Sequence, residues 1–118
     1  MTARRKDTMT LEEYRGLEKE SDFQNWVIEY AHDQQGWMVA HFRPAETGKG
    51  WRTLMQGDVG FPDLVLARNG VVLLVELKSD RRGAVLTEMQ EAWAKAIGAQ
   101  WRLWRPSMRA EIERELAA

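Results

Sequence analysis

Cysteine is absent from this chain of 118 residues, which excludes a disulfide framework, a thiol nucleophile and a cysteine-ligated zinc site. A bound metal would need oxygen or imidazole ligands. Long apolar runs are also absent, since the longest, Val71 to Val75, has the length of a β-strand and not of a membrane span. The basic segment Met1 to Lys6 is not followed by an apolar signal region. We therefore expect an intracellular, soluble protein with no membrane contact.

An excess of charge of one sign is missing as well, because 17 Lys and Arg residues face 18 Asp and Glu residues. The net charge of −1 argues against a protein that holds nucleic acid through bulk positive charge. The basic residues are concentrated in the middle, where residues 37–105 contain ten basic and seven acidic side chains. The length predicts a single domain.

The spacing of the apolar residues predicts an α/β fold, a mixed β-sheet flanked by helices with an α-β-β-β-α-β core. Two capping boxes, Ser21 with Gln24 and Thr87 with Gln90, predict the starts of the two core helices, and Thr10 to Glu13 fits a further short helix. The other predicted elements are strands at Trp37 to Phe42, Phe61 to Arg68, Val71 to Lys78 and Trp101 to Arg105, a long loop at Arg43 to Gly57, and a closing helix at Ser107 to Ala117.

The dipeptide Asn69-Gly70 is the clearest local signal, because it favours a two-residue β-hairpin turn between two apolar runs. Such a turn pairs Arg68 with Val71, and the same register then places Asp63 opposite Glu76. Opposed residues share a face of the sheet, and two like charges at that separation destabilise it unless a cation lies between them. Lys78 points to the same face as Glu76.

Two carboxylates with a neighbouring lysine are consistent with a Mg²⁺ site, because Mg²⁺ binds one or two carboxylates and keeps several waters. A lysine at such a site can orient a water or stabilise charge on a phosphate oxygen. A structural alternative remains open from the hairpin alone. In that alternative Asp63 caps a turn after Pro62, while Glu76 and Lys78 form a surface ion pair.

The segments Gly60-Phe61-Pro62-Asp63-Leu64 and Glu76-Leu77-Lys78 resemble the PD-(D/E)-x-K signature of restriction-endonuclease-like nucleases. The G-x-P-D form is similar to the VRR-NUC (virus-type replication-repair nuclease) family. Glu20 matches an acidic residue on the first helix of that family, and Gln90 matches a glutamine on the helix after the catalytic strand. One position departs from the pattern, because Ala94 stands where related nucleases often carry a tyrosine, with Trp93 just before it.

The resemblance implies a restriction-endonuclease-like fold and a metal-dependent DNA endonuclease that hydrolyses phosphodiester bonds. It divides the single domain into an N-terminal extension at 1–19, a nuclease core at 20–105 and a C-terminal helix at 106–118. It implies that Glu20, Asp63, Glu76 and the Leu77 carbonyl bind Mg²⁺, with Mn²⁺ as a substitute, that Lys78 positions the attacking water and that Gln90 supports the site. Relatives of this length resemble Holliday-junction resolvases, which implies branched DNA as the substrate and a homodimer. The aromatic-rich strand Trp101 to Trp104 comes late in the chain, and we expect it at a sheet edge, where it could form the dimer interface. A virus- or phage-encoded enzyme acting in the host cytoplasm would fit the same resemblance.

Basic residues near these motifs are candidate DNA contacts. Arg81 and Arg82 directly follow the predicted catalytic strand, and Trp51 lies in the long loop among basic residues, where an aromatic ring could stack on a base. The full set of predicted DNA-binding residues is Arg43, Lys49, Trp51, Arg52, Arg81 and Arg82.

Other polar and aromatic residues have plainer interpretations. His32 and His41 are expected on the surface because neither has a partner at metal-ligand spacing, and Trp26, Trp93 and Trp101 have core-facing spacing. Asp22 is an alternative to Glu20 as the acidic residue of the first helix, and Asp58 and Asp80 flank the predicted site.

Two other functions compete with the nuclease. One is a catalytically silent DNA-binding or assembly module with the same fold, and the other is a general α/β interaction domain.

Overall fold

The computed structural model describes residues 19–42, 45–47, 50–52 and 57–118, except for the side chains of 45–47 and 50–52. These residues form α1 (Glu20–Glu29), α2 (Glu88–Ile97), α3 (Arg109–Ala117) and the strands β1 (Met38–His41), β2 (Ala45–Thr47), β3 (Gly50–Arg52), β4 (Leu64–Arg68), β5 (Val71–Leu77) and β6 (Trp101–Trp104). A π-helical turn at Tyr30–Gln34 continues α1, and 3-10 turns at Gly98–Gln100 and Pro106–Met108 precede β6 and α3. The helix predicted at Thr10 to Glu13 lies outside the described residues.

The main sheet has four strands in the order β1-β4-β5-β6. The first three are antiparallel, whereas β5 and β6 run parallel, with α2 in the connection between them. The predicted α-β-β-β-α-β order of a mixed α/β sheet is therefore confirmed. Within the part of the chain that the structure describes, no helix has the length and apolar character needed to cross a membrane.

The segment from Arg43 to Gly57 was predicted as one long loop, and that prediction is wrong for two short stretches. Strands β2 and β3 form a separate antiparallel hairpin, in which Ala45 pairs with Arg52 and Thr47 with Gly50. Period-2 alternation of apolar residues gives no signal for strands this short.

The hairpin of β4 and β5 has the predicted turn and register. Asn69 has φ 50° and Gly70 has φ 82°, so both central residues adopt the positive φ that a type I′ turn requires. Arg68 pairs with Val71, and Leu64 pairs with Val75. Continued by one pair, this register places Asp63 opposite Glu76.

The two faces of the sheet are covered differently. One face packs into the hydrophobic core, which α1 and α3 complete with Phe23, Val27, Ile112 and Leu116. The strand residues on that buried face are Leu64, Leu66, Leu73, Val75, Leu77 and Trp104. The opposite face bears Asp63 and Glu76 and carries α2, a helix that has no fully buried residue. The candidate site therefore lies on the less covered face.

The capping predictions divide into one correct and one wrong. Thr87 and Gln90 form the predicted capping box at the start of α2. Helix α1 instead begins at Glu20, with Lys19 as its N-cap and no side-chain capping bond. Ser21 lies inside the first turn, where its hydroxyl no longer occupies the N-cap position.

The tryptophans of the core are not the three that the helical spacing indicated. Trp37 and Trp104 are buried, and the Trp37 indole nitrogen donates to the Leu116 carbonyl at 2.9 Å. Trp26, Trp93 and Trp101 are half-buried. Spacing identifies a helix face, but how deeply that face is covered depends on the other elements that pack against it.

Candidate active site

Asp63 and Glu76 face each other at the end of the β4–β5 hairpin. The Leu77 backbone N–H donates to Asp63 Oδ2 at 2.8 Å. In a regular ladder this N–H would donate to the Pro62 carbonyl, so the Asp63 carboxylate replaces that carbonyl as the acceptor. Because hydrogen-bonded and non-hydrogen-bonded pairs alternate along an antiparallel ladder, Asp63 and Glu76 form a non-hydrogen-bonded pair, the kind in which side chains lie closest. Their Cβ atoms are therefore about 4.5 to 5.5 Å apart.

Glu76 is a buried acid, with only 2% of its surface exposed. Its pKa rises from 4.5 to about 8, first because burial disfavours the charged form, and then because the Asp63 carboxylate repels it and hydrogen-bonds to its protonated form. The charge of Glu20 raises this pKa further, while the Lys78 ammonium lowers it. Burial and the facing carboxylate therefore keep Glu76 largely protonated at neutral pH.

Gln90 connects α2 to Glu76 through an amide whose orientation is fixed. Its Oε1 accepts the Thr87 backbone N–H at 2.9 Å, while the Thr87 Oγ1 accepts the Gln90 N–H at 3.1 Å. The Gln90 amide nitrogen, Nε2, is thereby turned toward the Glu76 carboxyl. It lies 3.3 Å from Glu76 Oε1 and 3.4 Å from Glu76 Oε2. The capping box both starts the helix and orients the Gln90 side chain at the acid.

Gly60 allows the segment before Asp63 to lie directly against the start of α2. Its φ is +90°, and a Cβ at this position would lie 2.9 Å from the Met89 carbonyl carbon and 3.0 Å from the Gln90 nitrogen. Both neighbouring atoms belong to the helix backbone and cannot rotate away. The Trp93 indole nitrogen donates to the Val59 carbonyl at 2.9 Å and ties the same two segments together.

We expect Gly60→Ala to separate Gln90 from Glu76, because the new methyl group would push α2 away from the sheet. The predicted effects are a loss of stability of about 1 to 3 kcal/mol and a clear fall in any activity of the Glu76 site. Gly98→Ala is the matched control, since Gly98 has φ +77° with nothing within 4 Å of its Cβ position. Thermal melts of both variants test this, and equal behaviour in stability and activity would contradict it.

The remaining predicted ligands lie near the pair, but not all of them converge on it. Lys78 follows β5, is half-buried, and makes no ion pair with any described carboxylate. The Leu77 carbonyl points to the same side of β5 as the Leu77 N–H, which is the Asp63 side. Glu20 is exposed on the first turn of α1. Among the described residues no three His, Cys, Asp or Glu side chains group closely enough to hold a metal.

Two of the predicted DNA contacts can be located. Arg81 and Arg82 are exposed in the turn that follows Lys78, and Arg81 N–H donates to Ser79 Oγ at 3.3 Å. Arg105, which follows β6, holds the same turn in place, because its Nη1 donates to the Ser79 carbonyl at 2.5 Å. Arg43 and Lys49 lie outside the described residues, as do the side chains of Trp51 and Arg52.

Other basic side chains are already engaged within the chain. At the turn end of the hairpin, a cavity of about 570 Å³ is lined by Trp37, Arg68, Arg102 and Glu115 among others. The Arg68 guanidinium stacks on the Trp37 ring at 4.6 Å and donates to the Gln35 carbonyl, and Arg102 pairs with Glu115 at 2.8 Å. Arg68 and Arg102 therefore hold parts of the fold together at this end of the hairpin.

The flanking acids and histidines mostly have local roles. Both Asp80 oxygens accept from Ser107, at 2.9 Å from its nitrogen and 2.8 Å from its hydroxyl, so Asp80 fixes the start of the turn before α3. His32 lies on the surface beside Asp33, with 2.7 Å between Nδ1 and Oδ1. His41 is half-buried at the end of β1, and Asp22 and Asp58 are exposed.

Phe42 is a neighbour of the site that the sequence did not indicate. Its backbone N–H donates to the Asp63 carbonyl at 3.1 Å. No turn signal connects β1 to β4, so the register between these strands could not be worked out in advance. The role of Thr87 in orienting Gln90 was missed too, although the capping box itself was predicted.

Comparisons of the chain with protein-family models, curated proteins and solved structures found no match. The resemblance to VRR-NUC nucleases therefore depends on the motif residues of this chain alone.

Proposed function

We propose that this protein is a metal-dependent endonuclease that hydrolyses DNA phosphodiester bonds at Asp63 and Glu76. The observation that carries the proposal is the buried Glu76 facing the half-buried Asp63. Glu76 is 2% exposed and faces a second carboxylate on the adjacent strand, with a pKa raised to about 8. Such a pair destabilises a sheet, and a divalent cation is the ligand that would relieve the repulsion.

The donor set fits Mg²⁺ better than a softer metal. Asp63 and Glu76 would hold it, with the Leu77 carbonyl as a third oxygen and water for the rest, which is how Mg²⁺ is usually bound. Glu20 would act through its charge or through a water. When bound, Mg²⁺ would neutralise charge developing on the phosphate and lower the pKa of a water molecule.

The residues of the chain itself would contribute orientation and charge. Lys78 would hold the attacking water or stabilise a phosphate oxygen, since its ammonium lies near enough to Glu76 to lower the pKa of that residue without forming a direct ion pair with a described carboxylate. Gln90 fixes the orientation of Glu76 through the bonds described above. Arg81 and Arg82, exposed beyond Lys78, would contact the flanking phosphates.

The fold order and the motif positions together support membership of the VRR-NUC family within the restriction-endonuclease-like nucleases. With that membership we propose branched DNA, such as a four-way junction, as the preferred substrate. Resolving such a junction needs two symmetric cuts, which a two-fold dimer of this single-site domain would supply.

An exposed apolar surface on the α2 side of the sheet supports the dimer. Met38, Ala67 and Val72 form one row across β1, β4 and β5, with Met38 76% exposed and Val72 42% exposed. Strand β6 is an edge of the described sheet, but Trp104 is 2% exposed in the core and cannot also contact a partner.

A nuclease assay tests the proposal directly. Purified protein is incubated with labelled linear, flap and four-way DNA in Mg²⁺, Mn²⁺ or EDTA, with Asp63→Asn as the control for a contaminating nuclease. We expect cleavage with either metal, no cleavage in EDTA and preference for branched DNA. DNA binding without cleavage in any metal would favour the alternative, a catalytically silent binding or assembly module. An intact set of Asp63, Glu76 and Lys78 argues against that alternative, because a binding module needs none of them.

Light scattering tests the dimer separately. We expect a mass of twice the 13.7 kDa chain at micromolar concentration, and a shift to monomer in the double variant Met38→Glu and Val72→Glu, because buried carboxylates at the contact would repel each other. Val85→Glu, at a 67% exposed position in the segment before α2, is the control. A parent protein that is monomeric and cuts linear duplex as readily as a junction would remove the resolvase-like part of the proposal and leave the chemistry.

A further inference from the structure

Phe42 lies in line with the two carboxylates of the site. In β1 and β4, His41 pairs with Leu64, so the next pair is Phe42 with Asp63, and the hydrogen bond from Phe42 N–H to the Asp63 carbonyl at 3.1 Å continues the ladder. Cross-strand partners share a face of the sheet. Phe42, Asp63 and Glu76 therefore form one row across three adjacent strands, with about 4.8 Å between neighbouring strands.

The Phe42 ring packs against the Phe61 ring, which in turn packs against Trp93. Phe61 meets Phe42 at 5.3 Å between centroids and 88° between planes, and Trp93 meets Phe61 at 5.0 Å and 90°. The Trp93 indole is itself fixed by its bond to the Val59 carbonyl. These three residues, the aromatic cluster, form edge-to-face contacts that orient the rings and leave Phe42 39% exposed.

An exposed, oriented aromatic ring beside a phosphodiester site is suited to stacking on a nucleobase. Phosphate contacts would come from the other end of the site, where Lys78, Arg81 and Arg82 follow one another along the chain. A nucleotide bound with its phosphate at the carboxylates and its neighbouring phosphates toward these basic residues would then turn its base toward the aromatic cluster. Bases inside a duplex are already stacked on their neighbours, so only an unpaired base presents a free face to Phe42.

We propose that Phe42 stacks on an unpaired base next to the phosphodiester bond that is cut, so that the enzyme prefers DNA with an unpaired nucleotide at the cleavage position. This inference depends on the proposed nuclease function and narrows its substrate class. It accounts for a preference for flaps and other branches that carry an unpaired nucleotide, through a ring on the strand next to Asp63. It does not account for a preference for a four-way junction, whose bases are all paired. Phosphate contacts alone would not distinguish paired from unpaired nucleotides.

The test combines a protein change with a substrate change. Flap DNA is prepared intact and with a single abasic site at the unpaired nucleotide beside the cut, and KM is measured for the parent and for Phe42→Ala with both substrates. Base–aromatic stacking predicts that either change alone raises KM about 5- to 150-fold, and that the two together raise it no further. On fully paired linear DNA, Phe42→Ala should leave KM unchanged.

Two variants separate stacking from folding. Phe42→Leu keeps an apolar side chain without a ring and should lose the preference, whereas Phe42→Trp should keep it. Val71→Ala is the control, because Val71 is 50% exposed on the opposite face of the same sheet. A 2-aminopurine in place of the unpaired base gives a second readout, since stacking on Phe42 should quench its fluorescence in the parent complex but not in the Phe42→Leu complex.

The outcomes distinguish this inference from the function on which it depends. A parent enzyme that cuts DNA, but shows additive losses in the cycle or equal losses on paired DNA, overturns the stacking role and leaves the nuclease proposal intact. A retained preference in Phe42→Leu overturns the stacking role as well. Failure of the parent to cut any DNA with Mg²⁺ or Mn²⁺ overturns the nuclease proposal, and this inference with it.

Discussion

Asp63→Asn is expected to abolish cleavage while making the metal-free protein more stable at neutral and alkaline pH. The asparagine oxygen can still accept the Leu77 N–H, so the local backbone contact at 2.8 Å is kept. The negative charge beside Glu76 is removed, and with it one of the causes of its raised pKa. Removing a residue that only supports a metal ligand lowers activity roughly 10- to 100-fold. Because Asp63 is proposed as a ligand itself, the cleavage rate of Asp63→Asn should fall by more than this.

The pH dependence of stability gives this prediction a sign. Glu76 has a pKa of about 8 in the folded protein against an ordinary 4.5, so between these values the folded state holds a proton that the unfolded state has released. Stability must therefore fall as pH rises through this window, by up to about 1.4 kcal/mol per pH unit. Because the two carboxyls are coupled, the slope is a property of the pair. The slope should be shallower in Asp63→Asn.

Melting temperatures in EDTA between pH 5 and pH 9 measure this slope for the parent and the variant. Added Mn²⁺ should raise the melting temperature of the parent by mass action, with little effect on Asp63→Asn. Calorimetry at pH 7 in two buffers of different ionisation heat should detect proton release on Mn²⁺ binding to the parent. Parallel slopes in the two proteins, or no Mn²⁺ shift in the parent, would show that the facing carboxylates are not a metal site.

The part of the site that could be predicted from sequence follows from one turn. Asn69-Gly70 sets a two-residue loop, and the side-chain period of two then determines every pair in the hairpin, including Asp63 with Glu76. The reasoning is local, because the hairpin closes on itself without help from other elements. The capping box at Thr87 succeeded for the same reason, since its two hydrogen bonds connect residues three apart.

The parts that could not be predicted depend on contacts between distant segments. The burial of Glu76 requires the close approach of α2, which depends on Gly60 having no Cβ. The spacing of residues along the sequence does not indicate how close Gly60 lies to the α2 backbone. The placement of Phe42 beside Asp63 depends on the pairing of β1 with β4 across more than twenty residues. The burial of the tryptophans could not be predicted for the same reason. Trp37 packs in the core with Leu116 and donates to its carbonyl, although the two residues are far apart in the sequence.

Lys78→Met is expected to lower turnover by about 100-fold or more while leaving DNA affinity nearly unchanged. Methionine keeps an apolar stem of similar length and removes only the ammonium, which in the free protein makes no ion pair with a described carboxylate. An ammonium beside the carboxylates, close enough to lower the pKa of Glu76, can also act on charge that develops as the bond breaks. Interactions made mainly in the transition state change kcat and spare substrate binding.

Arg82→Ala provides the contrasting case, since Arg82 is exposed beyond the site and is expected to contact a phosphate. Its loss should weaken binding, reduce the slope of log affinity against log salt by about 0.9 for one phosphate contact, and leave kcat unchanged. Single-turnover rates and equilibrium binding at several salt concentrations measure both variants. Equal losses of binding and turnover in Lys78→Met, with a reduced salt slope, would make Lys78 a phosphate anchor like Arg82 and remove it from the chemical step.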